Sequence, residues 1–483
     1  MALLVKGGEI VTAERRWRGD VRCREGEIVE VGGVLEWAPG EQLVDAGDLL
    51  VMPGGVDPHV HMELPVAGTV SSDDFETGTA AGLAGGTTTI IDFVHPERGQ
   101  DFLEALKDRK KEAAKAVADY GFHMAVTWWG KDTAKWIKTC VKKEGIPSFK
   151  IYMAYLETVG LADEDIARVL KTTASVDGLV LVHAEEGKVV EELREQFFNE
   201  GKIEPIYHAR SRPPQTEGDA NTRIAKMAKT AKANVYVVHV TCEQAVAAIA
   251  QARASGQNLW GETCPQYLLL DESVYELPKF KGAAYVIAPP IRAKKHQAAL
   301  WQALSEGTLQ VVATDHCPFN FKKQKEMGKK DFRLIPGGAA GIENRLALLY
   351  SNGVGQGRID VHKFVDLVST QPAKLFGLYP RKGAIEVGAD ADLVLWDPGP
   401  TVKISARTHH HNCDRSIYEG FKVKGKPATV IANGQIRYHD GNLRVETGAG
   451  RFLERDPVNS QDAEPSQSWH CVAITREVWV VAR

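Results

Sequence analysis

The chain has no CxxC pair, no apolar run of membrane-spanning length and no basic stripe, and no GxGxxG loop opens any of its helical stretches. Its seven cysteines, Cys23, Cys140, Cys242, Cys264, Cys317, Cys413 and Cys471, are scattered and odd in number. That argues against a disulfide framework or a thiolate zinc site and for free thiols in a reducing compartment. The N-terminus, MALLVKGGEIVTAERRW, is broken by lysine and glycine after a few residues, so no membrane association and a cytoplasmic location are expected. A formal net charge of -4 leaves nothing to hold a phosphate backbone, which excludes nucleic acid as the expected partner.

What is present is ordinary globular material in an informative order. The 483 residues are 43% hydrophobic and 25% charged, enough for a large barrel plus a smaller module. Residues 3–52 hold three short strand-like stretches, LLVKGGEIV, GEIVEVGG and LLVMPG, with no helical period between them. From residue 54, eight β-rich runs alternate with amphipathic stretches: GGVDPHVH, TTTIIDF, YGFHMAVTW, SFKIYM, GLVLVHAE, NVYVVHVT, NLWGETC and LQVVATDH. Parallel strands with helical crossovers follow from that alternation, and eight of them make a TIM-type (β/α)8 barrel. Beyond two more helical stretches, KGAIEVGADADLVLWDP, ATVIANGQIRYHDG and NLRVETG return to short β runs. The expected architecture is α/β. Residues 53–375 form the barrel, residues 1–52 and 376–456 a discontinuous β-sandwich, and residues 457–483 a polar C-terminal arm.

Five of the barrel runs close on potential metal donors. These are His59 and His61 in DPHVH, Lys150 in SFKIYMAY, His183 in LVHAE, His239 in VVHVT and Asp315 in ATDHC. Catalytic groups of such barrels sit at the C-terminal strand ends, so all five words face one mouth. His59 and His61, two apart on a strand, point the same way and with Asp315 would hold one metal; His183 with His239 would hold a second. Imidazole plus carboxylate suits Zn2+, with Mn2+, Co2+ or Fe2+ as competitors. Lys150 is the odd member, because an ammonium cannot ligate a cation: it is a salt-bridged barrel lysine, or one reaching toward solvent, or, if carboxylated by CO2, an anionic bridge.

The words MPGGVDPHVH, GGTTTIIDF, SFKIYMAY, ETCPQYLLLD, VVATDHCPF, GIENR and AKLFGLYPRKGAIEVGADADLVLWDP resemble the dihydropyrimidinase/hydantoinase family of cyclic amidohydrolases, over roughly residues 3–456. The resemblance implies a homotetramer that opens a small cyclic amide, a hydantoin or dihydropyrimidine, to an N-carbamoyl amino acid. It implies two Zn2+ per subunit, held by His59, His61, His183, His239 and Asp315 and bridged by carboxylated Lys150. Tyr155 takes the place of the oxyanion-stabilising tyrosine. Ala288 and Gly337 stand in the loops that grip the substrate through main-chain groups, where Ser and Asn are usual. Met62, Leu64, Tyr152 and Val159 fall where the family places its substrate-facing lid.

From these parts the expected chemistry is attack by a bridging hydroxide on the ring carbonyl, with Asp315 moving the proton to the departing nitrogen. Dihydroorotase and allantoinase are the rival enzymes, but dihydroorotases carry an arginine where this chain has Glu63. A non-catalytic assembly protein of the same fold would lack the ligands present here. Cys317 beside Asp315 has no marked partner for a nucleophile's role. GFKVKGKP at 420–427 fails as a phosphate loop, since Pro427 replaces the Ser/Thr that would hold Mg2+. The tract His409, His410 and His411 could bind adventitious metal, but a solvated loop is the expected role.

Overall fold

The eight β-rich runs form one parallel sheet in chain order, in the computed structural model that describes residues 2–458. Its strands are Gly55–Asp57, Thr87–Val94, Asp119–Ala125, Ser148–Tyr152, Leu179–His183, Asn234–Val237, Leu259–Thr263 and Val311–Val312. The first and last edges meet in a parallel bridge between Val60 and His316, where His61 N–H donates to His316 O at 2.8 Å. That seam closes the barrel and sets the HxH pair beside Asp315.

The strands read as nearly continuous apolar runs because both faces are covered. Alternate residues belong to different cores. Leu179, Leu181, Tyr236, Val238, Phe93 and Trp260 fill the interior, which Leu375, Phe376 and Leu378 close below. Val180, Val182, Val235 and Val237 face outward against the helices. Asp163–Ala174 is typical of those helices: Ile166, Val169, Leu170 and Thr173 make one buried stripe, and Asp163, Glu164 and Asp165 complement the positive end of the helix.

Both chain ends enter a single nine-stranded sheet folded around its own core. Leu393–Lys403 pairs antiparallel with Leu50–Pro53, and Leu50–Pro53 runs parallel to Ala2–Val11. Two strands go beyond the sequence reading of the N-terminal segment. Arg16–Arg24 pairs antiparallel with Ala2–Val11, its inward Val21 and Cys23 masked in the sequence by arginines on the opposite face; Gln42–Asp45 pairs parallel with the same strand. In KGAIEVGADADLVLWDP the strand begins only at Leu393; Ile385, Ala389 and Ala391 reach the core from irregular backbone. The phosphate-loop lookalike runs into strand Lys422–Ala432, with no helix after it. Among the described residues no helix is long and apolar enough to cross a membrane, and six cysteines are free thiols. Residues 459–483, most of the expected arm, lie outside the described residues.

Candidate active site

Each donor stands at or just past the C-terminal end of its strand. Lys150 lies in the fourth strand, His183 ends the fifth, His59 and His61 follow the first, His239 follows the sixth and Asp315 the eighth. Regular pleating would send His239 outward, since Tyr236 and Val238 face inward. A left-handed φ of +42° at His239 breaks the alternation and brings its ring to 4.7 Å from that of His183. Asp315, at φ +53°, and Tyr155, at φ +59°, share this uncommon conformation, so three of the site residues sit on strained backbone.

The donors form two adjoining groups. His59, His61 and Asp315 each offer a ligand atom, and these three atoms lie within 4.8 Å of one another. Asp315 Oδ1 is 3.3 Å from His59 Nε2 and 3.2 Å from His61 Nε2. His183 Nδ1 and His239 Nε2 are 3.0 Å apart, and the His59 and His239 rings, 5.5 Å apart, join the groups. Phe93 stacks on His61 at 4.7 Å and closes the floor. Nδ1 of both His61 and His239 is buried without a hydrogen-bond partner among the described residues.

Three buried polar partners orient these donors, and none was marked by spacing in the sequence. Glu262, fully buried, accepts from His59 Nδ1, from Tyr236 O–H at 2.8 Å and from His239 N–H at 3.2 Å. His59 therefore turns Nε2, with its lone pair, toward Asp315. Glu185 accepts from His183 Nε2 at 2.7 Å and pairs with Arg212, which leaves His183 Nδ1 facing His239. The available signals were the acidic residues inside the words themselves, Glu185 in LVHAE and Glu262 in NLWGETC.

Burial dominates the electrostatics. It pushes Lys150 down to about 8, against the pull of Asp315 and Glu262. It pushes Glu262 up to about 8, and it lowers His59, His183 and His239, which are thereby held neutral and able to donate lone pairs. Burial also opposes ionisation of Glu185, yet Arg212 and His183 hold it down to about 2. Lys150 makes no ion pair among the described residues; its Nζ lies 5.4 Å from the Phe93 ring centre and 5.3 Å from that of Tyr152.

The remaining expected site residues divide. The Tyr155 ring lies 5.2 Å from that of His183 and 5.3 Å from the Arg212 guanidinium. Ala288 and Gly337 face each other: a Cβ on Gly337 would stand 4.0 Å from Ala288 N. Lys325 binds these loops together, its buried Nζ donating to Val286 O at 2.9 Å and to Pro336 O and Gly338 O at 2.7 Å each. Leu64, Tyr152 and Val159 are half-buried, with Tyr152 O–H 3.1 Å from His95 Nε2. Met62 is fully buried and packs toward Gly78 of the helix Phe75–Ala84, away from solvent. Cys317 is buried with its thiol pushed well up, so it is inert. The histidine tract corrects the solvated-loop expectation: His411 is buried, and His410 pairs with Glu343 at 2.9 Å, because the loop docks on the barrel.

The geometry has counterparts among known proteins. Residues 50–437 match the amidohydrolase family model. The chain is 45% identical to the D-hydantoinase of Geobacillus stearothermophilus, over 94% of this chain and 97% of that one. It is 43% identical to dihydropyrimidinase 2 of Caenorhabditis briggsae, over 95% and 89%. The crystal structure of dihydropyrimidinase from Brevibacillus agri NCHU1002 superposes with a TM-score of 0.94 at 43% identity, covering 95% of this chain and all of that one.

Proposed function

The chain belongs to the amidohydrolase family, among its hydantoinase and dihydropyrimidinase hydrolases, and from that premise we propose that it opens the ring amide of a hydantoin or dihydropyrimidine to an N-carbamoyl amino acid. The observation that carries this reading is the convergence of two donor groups around a buried lysine that has no ion-pair partner among the described residues.

That donor set fits a binuclear centre. Nε2 of His59 and of His61 facing Asp315 Oδ1, and His183 Nδ1 facing His239 Nε2, bring together ligand atoms that a cation would satisfy. His59, His61 and Asp315 would hold one Zn2+, His183 and His239 the other, with Lys150 shared. Two such ions supply, when bound, a water activated near neutral pH and an electrophile for the ring carbonyl. Lys150, lowered to about 8, has a neutral fraction at pH 7 whose lone pair can bond to CO2; one proton leaves, and a carbamate anion results.

The chain's own groups account for the rest. Asp315 takes the proton of the attacking water and delivers it to the departing ring nitrogen. Tyr155, kept protonated because burial raises its phenol, donates O–H to the developing oxyanion. Main-chain groups at Ala288 and Gly337 hold the polar edges of the ring, and Leu64, Tyr152 and Val159 flank its substituent. Glu63, where a dihydroorotase would offer a cation, is instead engaged by Lys115 at 3.0 Å.

A substrate panel on zinc-loaded protein tests the reading: dihydrouracil, hydantoin, 5-substituted hydantoins of both hands, allantoin and dihydroorotate. N-carbamoyl products from hydantoins or dihydrouracil are expected. Turnover of dihydroorotate or allantoin alone would overturn the proposal, and protein that takes up no transition metal would favour a non-catalytic assembly role. Asp315→Asn should lose about 10²–10⁴ in kcat, the usual worth of a positioned acid-base group. Wild-type kcat in that variant would remove Asp315 from the proton path.

A further inference from the structure

The connection between strands Leu393–Lys403 and Lys422–Ala432 leaves the sheet domain and docks against the barrel mouth. Asn412 N–H donates to Asp73 at 2.7 Å and its side-chain amide to Ser72 O at 2.8 Å. Asp414 accepts from the N–H groups of Phe321 at 2.6 Å and Lys322 at 3.1 Å, and His410 is held by Glu343. These contacts use the residues at 410, 412 and 414. The alternate ones, His409, His411 and Cys413, collect into a cluster of their own in which each offers a ligand atom, all three within 4.8 Å of one another.

The hydrogen bonding of this cluster is incomplete. His409 Nε2–H donates to Cys413 O at 3.0 Å, so its Nδ1 carries a lone pair, and that atom is buried with no partner. His411 Nε2 accepts a long bond from Glu343 N–H at 3.3 Å, which puts the ring proton on Nδ1, also buried with nothing to receive it. A buried donor left without an acceptor is destabilising, and a ligand that satisfied the nitrogen would remove that cost. A neutral ring that coordinates at Nδ1 carries its proton on Nε2, so metal binding would replace the long bond from Glu343 N–H.

We propose that His409, His411 and Cys413 form a metal site separate from the catalytic one, taking a single borderline-soft divalent transition ion, zinc foremost, with water as fourth ligand. Two imidazoles and a thiolate match zinc's preference for nitrogen and sulfur. Tetrahedral zinc holds such donors roughly 3.3–3.6 Å apart, so closing the cluster takes movement of about an ångström. The Cys413 thiol donates to Arg415 O at 3.2 Å, and its proton leaves as the metal binds, one proton per ion. The site's effect is structural: it pins the loop of the sheet domain to the barrel behind Asp315, where the His411 ring lies 5.2 Å from that of His316.

The test uses the full chain, stripped with chelator and reloaded with Zn2+ or Co2+. Wild-type protein should bind one equivalent more than Cys413→Ala, and its cobalt form should show thiolate-to-cobalt charge-transfer absorption that Cys413→Ala lacks. The donors proposed for catalysis contain no sulfur, so this signal is independent of whether the catalytic reading holds. His411→Gln should likewise lose the extra equivalent while keeping hydrolytic activity. Equal metal content in wild type and Cys413→Ala, or a wild-type cobalt spectrum without the sulfur band, would overturn the proposal. The spectrum is read on wild-type protein, so a variant that fails to fold does not rescue it.

Discussion

Replacing Glu262 by glutamine tests whether the donors are oriented from behind. The carboxylate is fully buried and receives three donors, His59 Nδ1–H, Tyr236 O–H and His239 N–H. Glutamine keeps the shape but has one accepting oxygen, so its NH2 must confront a donor on one side. The Tyr236 hydroxyl can rotate away. His59 can respond only by moving its proton to Nε2, the nitrogen that faces Asp315 at 3.3 Å, and this removes the lone pair a metal needs. Losing a hydrogen bond to a charged group costs about 1.5–3 kcal/mol, in line with the 10–100-fold loss of metal affinity typical when such a partner is removed. Chelator competition on the reloaded protein reads that affinity directly. Metal-free urea unfolding of wild type and Glu262→Gln separates a loss of fold stability from the loss of metal affinity. Wild-type metal affinity in Glu262→Gln would refute the orientation argument.

Further outcomes follow from two groups at the edge of the site. Lys325→Met strips a donor from three buried carbonyls in the loops of Ala288 and Gly337, so KM should rise about 10-fold or more with metal content unchanged and kcat nearly so; unaltered KM would detach these loops from substrate binding. Burial lowers Lys325 to about 7, and a neutral amine donates only two bonds, so wild-type KM should also climb above pH 7 in steady-state assays. Asp73, opposed by burial but held down to about 2 by His316 at 3.0 Å and by Asn412 N–H, is depressed below its unfolded value. Its stabilisation is thus present above about pH 4 and lost as pH falls toward 2. In the metal-free protein Asp73→Asn should cost about 2 kcal/mol at pH 7 and almost nothing near pH 2, by urea unfolding; an equal cost at both would show that charge is not the cause.

The barrel was legible because parallel strands covered on both faces are β-branched runs such as TTTIIDF and GLVLVH, and each site strand delivers its donor at or near the end. His239 was legible only as a strand-end residue; the left-handed turn that swings it inward has no mark in VVHVT. Glu262 stands in NLWGETC without a visible role, since its partner His59 lies 203 residues away and no local spacing records a contact of that range. Arg16–Arg24 hid because a row of arginines on its outer face masks an alternating inward face. The histidine tract suggested solvent by its polarity, whereas burial there comes from docking of one domain on another, which only the assembled fold displays.

The sheet shared by both chain ends has a consequence for biosynthesis. Leu50–Pro53 cannot acquire its antiparallel neighbour until Leu393–Lys403 has been made, roughly 340 residues later. At about 5–20 residues per second that interval is on the order of half a minute. During it the N-terminal ribbon carries an open hydrogen-bonding edge while the entire barrel is synthesised, a window in which chaperone capture or pairing with another nascent chain competes with native closure.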